Sequence, residues 1–113
     1  MPLKRMALEI GMGTDIRGSD STKAATRALR DALWRNALTI APALGLPPDA
    51  MRIEVRIGVP RPETVDTEQV LAVLPYGQAT IEVIEGGLSI PHDNRDDATL
   101  IAHAAAVVYL DVA

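Results

Sequence analysis

The side chains in this sequence that could do chemistry fall in three places. The first is Gly11-Met-Gly-Thr-Asp-Ile-Arg-Gly18 and the polar run that continues to Lys23. Glycines placed after a strand and before a capped helix start can offer backbone N–H groups and a helix dipole to an anion. Gly13 and Gly18 have the spacing of a phosphate loop. Ser19-Asp20, however, stand where that motif needs Lys and Ser or Thr, so nucleoside triphosphate binding fails on chemistry. The run is longer than the roughly 2–6 residues a plain connector needs. It also carries both charge signs, in Asp15, Arg17, Asp20 and Lys23. The expectation is a concave ligand site built from Gly13, Asp15, Arg17, Asp20 and Lys23, with Arg17 and Lys23 holding a small anion. The plainer alternative is a turn in which Asp20 or Ser21 caps a helix and Asp15 pairs with Arg17.

The second place is the pair Glu82 and Glu85, three residues apart and therefore tending towards opposite faces of a strand. Either could complete the loop site, and two carboxylates could divide acid and base roles at one substrate. The alternative makes one an interface ion-pair partner and the other a solvated strand end. The third is His103, set among alanines in a row shared with Tyr109. A histidine titrating near neutral pH suits general base work, and Glu82 and His103 are the candidate catalytic groups. A hydrogen-bonded interface histidine is the competing reading. His92 with Asp93, Asp96 and Asp97 resembles an acidic metal loop, but lacks the Gly and terminal Glu of a calcium loop and any paired His. A solvated turn is expected there, with no metal and no cofactor. No Gly-x-Ser-x-Gly elbow occurs.

The elements that must position these groups follow from periodicity. Lys4 to Met12 alternates as a strand, and the glycines after it break the pattern. Thr22 to about Asn36 repeats Ala25, Ala28, Leu29, Ala32 and Leu33 at helical spacing. A short helix through Thr39 to Leu44 ends at Gly45 and Pro47-Pro48. Met51 to Val59 is a strand, and a short helix starts near Thr64 or Asp66. Thr80 to Ile84 and Leu88 to Ile90 are strands around a Gly86-Gly87 break, Pro91 to Asp97 is a polar loop, and Leu100 to Val112 is the last strand. The order β-α-β-α-β-β predicts a single α+β domain over residues 1–113, a two-layer α/β arrangement with one mixed sheet and helices on one face.

That covered face is expected to hold Met6, Leu8, Ile10, Ile53, Val55, Ile57, Ile81, Val83, Ala104, Ala106 and Val108. The opposite face mixes Arg5, Glu9, Arg52, Glu54, Arg56, Glu82, His103 and Tyr109 with Ala7, Ala105 and Val107. With 113 residues, 48% hydrophobic and no Phe, the core is aliphatic and small, and burying the second face against further copies would add to it. A homo-oligomer is expected, a trimer first. A net charge of −4 and 3% aromatic residues argue against nucleic acid. There are no cysteines, no apolar run near the ~20 residues of a membrane helix, and no expected secretory leader, which points to a cytoplasmic protein.

Two resemblances extend this reading. The segment from Leu8 to Leu33 (Leu8-Glu-Ile-Gly-Met-Gly-Thr-Asp-Ile-Arg-Gly-Ser-Asp-Ser) and the run Val73-Leu-Pro-Tyr-Gly-Gln-Ala-Thr-Ile-Glu-Val-Ile-Glu-Gly-Gly-Leu88 resemble the two blocks of a small bacterial family. It is the uncharacterised family of conserved hypothetical proteins catalogued after a Lin locus tag, and the resemblance implies membership without an activity. Leu74-Pro75 followed by Ile81-Glu82-Val83 is similar to a pattern of reactive-intermediate deaminases. Their topology, shared with trimeric chorismate mutases, implies trimers with ligand sites between subunits. The functional expectation is an oligomer binding a small polar or anionic metabolite between subunits, and hydrolysing or deaminating it. The alternative is a non-catalytic binding or regulatory module, or the small subunit of a larger enzyme.

Overall fold

The computed structural model describes residues 3–35 and 39–112. Asn36, where the first helix is expected to end, lies outside them. The elements are β1 (Leu3–Asp15), α1 (Ser21–Arg35), α2 (Ile40–Ala43), β2 (Arg52–Val59), α3 (Thr67–Leu71), β3 (Gln78–Glu85), β4 (Leu88–Pro91) and β5 (Ala98–Asp111). The strands form one mixed five-stranded sheet in the order β1-β5-β2-β3, with β4 also paired to β5. β5 runs antiparallel to β1 and β2, and β2 pairs in parallel with β3. This is the expected α+β fold.

The long central strand β5 is apolar along most of its length, with alanines at its middle. Its even positions from Leu100 to Leu110 are all buried under the helices. Ile53, Val55, Ile57 and Val59 of β2 join them, as the two-residue period requires. α1 covers this face with Ala24, Ala25, Ala28, Leu29 and Ala32, each without exposed surface. Alanine brings little apolar area, so cohesion here comes from close approach and dense contact. The same need explains Gly11 and Gly13, which lie inside β1, not in a loop. A Cβ on Gly11 would fall 2.3 Å from the Ala32 backbone nitrogen, so α1 rests directly on strand backbone.

One expectation about the faces is overturned. Leu8 and Ile10 do not join the core; with Met12 they are 52%, 64% and 53% exposed on the open side of the sheet. The cause is a β-bulge between Arg5 and Ala7. One extra residue exchanges the faces of everything after it, so Ala7 and Glu9 turn to the helical side and Leu8, Ile10 and Met12 turn away.

β4 continues the lane of β2 along β5: Gly58 pairs with His103, and Leu88 with Ile101. The chain reaches that lane through Gly87 at φ +65, where a Cβ would sit 2.0 Å from the Ile101 carbonyl oxygen, a position only glycine fills.

Candidate functional site

The open side of the sheet carries a groove of about 620 Å³. Register builds it in two rows. One runs Met12–His103–Gly58–Ile84, the other Ile10–Ala105–Arg56–Glu82. Gly58 and Ala105 make a low floor, Ile10 and Met12 one wall, and Ile84 with Gly86 the other. His103 and Arg56 of the sheet face, and Asp31 of α1, whose Oδ2 accepts the Met12 N–H at 2.9 Å, give this groove its polarity.

His103 is exposed and makes no hydrogen bond or ion pair among the described residues. Arg56 is fixed: its Nη2 and Nε donate to Glu54 Oε1 at 2.7 and 3.1 Å. That hydrogen bond, then the Glu54 charge, with Glu82 and Tyr109 adding, raises the arginine pKa further and keeps it a cation. Glu82 lies beside Arg56 on β3, while His103 is on β5 and one two-residue step along. Two inter-strand spacings and that step along the strand, about 12 Å together, therefore separate the candidate acid and base within one chain. Glu85 ends β3 on the edge of the sheet, exposed.

The loop from Gly11 to Lys23 divides in three. Gly13 belongs to β1. Asp15 is buried, its Oδ2 accepting the Asp20 backbone N–H at 2.8 Å, with Arg27 Nη1 3.6 Å from its Oδ1. Its cationic neighbour is thus Arg27 and not Arg17, which stands exposed. Asp20 caps α1 by accepting the Lys23 backbone N–H at 3.1 Å. Asp20 and Lys23 line a separate groove of about 480 Å³ between α1 and α3. The candidate ligand residues are therefore not in one cavity: Gly13 and Asp15 support β1 and the loop, and Asp20 and Lys23 face α3.

Two loops distant in sequence meet at the far end of β5. Ser19, at φ +52, accepts the Ala98 N–H at 3.0 Å through its hydroxyl. His92 Nδ1 lies 3.1 Å from Asp97 Oδ1, its Nε2 lies 2.7 Å from Thr99 Oγ1, and Arg95 contacts both His92 and Asp97. The acidic run 91–97 is thus a hydrogen-bonded turn; no group of three or more metal-ligating residues occurs among the described residues.

The groove over Gly58 is not legible in the sequence because one of its walls comes from the exchanged face of β1. The signal was present in the three aliphatic residues Leu8, Ile10 and Met12, which needed only the bulge to point outward.

Comparison with known proteins agrees with this fold. The model of a family of conserved hypothetical proteins, Lin0512, matches residues 5–108. The chain belongs to that family. This member is also similar to a solved crystal structure, an FtsZ-like protein of unknown function from Nostoc punctiforme. The two are 42% identical, with a TM-score of 0.89 over 99% of each chain. No curated protein matches. No helix among the described residues is long and apolar enough to cross a membrane.

Proposed function

We propose that this member of the Lin0512 family is a self-associating binding domain: copies cover one another's open sheet face, and a small polar or anionic metabolite sits between them in the groove beside His103 and Arg56. The observation that carries this reading is the aliphatic content of the open face. Leu8, Ile10, Met12, Ile84, Leu88 and Ile90 are each more than half exposed. A sheet face left to water alternates towards polar groups, and a contiguous apolar surface rimmed by charges marks an interaction site. A closed ring, three copies first, would bury it.

Binding is favoured over catalysis by the separation of His103 from Glu82 in one chain. Hydrolysis or deamination would need a substrate, or a second copy, spanning that gap. In that case His103 would carry the proton and Glu82 would be supplied across the interface. Gly13 and Asp15 contribute to this reading through the support they give β1 and the loop after it, whereas Arg17 and Glu85 lie outside the lining of the groove.

A thermal-shift screen of small carboxylates and phosphates tests the site, because a ligand that binds the native state raises its apparent stability. A binding ligand is expected to lose its effect in both His103→Ala and Arg56→Ala. A screen in which no compound shifts the transition, or in which both variants keep the full shift, rejects the site.

A further inference from the structure

We propose a second, independent site on the helical layer: the groove between α1 and α3 binds a compact, multiply charged oxyanion, of the phosphate-monoester or polycarboxylate kind, through Lys23, Arg27 and Arg30. These cations stand at intervals of four and three along α1, on the stripe beside the one that covers the sheet, and all three line the groove of about 480 Å³. Like charges at such spacings repel and destabilise an isolated helix. The chain has 15 acidic residues against 11 basic ones, yet among the described residues Asp20 is the sole carboxylate that lines this groove. Asp20 is already engaged: its Oδ1 accepts the Lys23 N–H at the helix end.

The groove is shaped before any ligand arrives. Arg27 is held by a 2.7 Å hydrogen bond from Nη1 to the Thr14 carbonyl and by Asp15 Oδ1 at 3.6 Å, which leaves its other N–H donors for the groove. Thr22 Oγ1 accepts the Asp66 N–H at 2.9 Å, tying the start of α3 to α1 and fixing the spacing of the walls. The opposite wall offers the Gln69 amide beside the small Ala72 and Val73. A charged head would meet Lys23, Arg27 and Arg30, and the remaining volume suits the body of a small metabolite, since ligand pockets run about 300–1,000 Å³.

Calorimetric titration of the full chain with inorganic phosphate and with citrate, against sodium chloride at matched ionic strength, tests this. Saturable binding of at least one of the two anions is expected, and the tighter one identifies the head group. Lys23→Ala/Arg30→Ala is expected to weaken binding at least ten-fold and Arg30→Gln alone several-fold, while Arg30→Lys retains most of it. Arg27 is kept because it satisfies the Thr14 carbonyl, and Arg30→Gln serves if the double variant does not fold. No saturable binding of either anion, an equal response to chloride, or unchanged affinity in Arg30→Gln and the double variant overturns the proposal. His103→Ala leaves this binding intact, so its result stands apart from that of the open-face groove.

Discussion

Gly13 and Ala28 meet backbone to backbone: a Cβ on Gly13 would lie 2.2 Å from the Ala28 nitrogen and 2.5 Å from the Ala24 carbonyl oxygen. Neither neighbour is a side-chain end that could swing aside. Gly13→Ala must therefore push α1 off β1, and overpacking of this kind costs about 1–3 kcal/mol or more. At about 4–8 °C per kcal/mol for a domain near this size, we expect the melting temperature to fall by roughly 4 °C or more. A fall of less than about 2 °C in thermal denaturation would contradict the close approach.

Asp15 gives a second stability prediction. Its buried carboxylate is the acceptor for the Asp20 N–H, which in turn starts α1. Asp15→Ala leaves that donor unsatisfied, which costs about 1–3 kcal/mol. Asp15→Asn keeps an acceptor oxygen and is expected to cost less. Chemical denaturation midpoints of the two variants decide it: equal midpoints would mean that Asp15 does not organise the loop.

The β2 strand is legible because its apolar residues alternate with charged ones, β5 because Tyr109, its valines and the polar loop before it favour a strand despite its alanines, and α1 because its alanines keep helical spacing. The faces of β1 are not. A bulge has no reliable mark in one sequence, and Arg5-Met6-Ala7 offers none, yet it decides whether Leu8 and Ile10 lie inside or outside. Glycine misled for a physical reason. At Gly11 and Gly13 the missing Cβ makes room for a helix, but in a sequence that is indistinguishable from freedom to turn. Lys23 reads in the sequence as a cation near a helix start. Arg27 and Arg30 join it only once α3 supplies a facing wall, which a linear reading does not show.

The turn around Asp97 gives a pH prediction. Partial desolvation acts against its charge, but Arg95 and His92, by charge and by hydrogen bond, outweigh this and hold its carboxyl below the ordinary value. A depressed folded-state pKa contributes stability that is fully present above the unfolded value near 4 and lost as pH falls through the folded one. We expect the hydrogen-exchange protection of the His92 N–H, bonded to the Asp97 carbonyl at 3.1 Å, to be constant above about pH 4 and to fall below it. In Asp97→Asn that acid-dependent loss should disappear. An identical acid profile in the two proteins would show that the Asp97 charge does not hold the turn.

The central proposal is that the open sheet face is a subunit interface, and molar mass in solution tests it most directly. Light scattering of the purified chain at micromolar concentration should give a whole-number multiple of its 12.1 kDa, three copies first. Ile10→Lys, which places a charge in the middle of that face, should give a folded particle of single-chain mass. A 12.1 kDa particle from the unaltered chain would contradict the proposal.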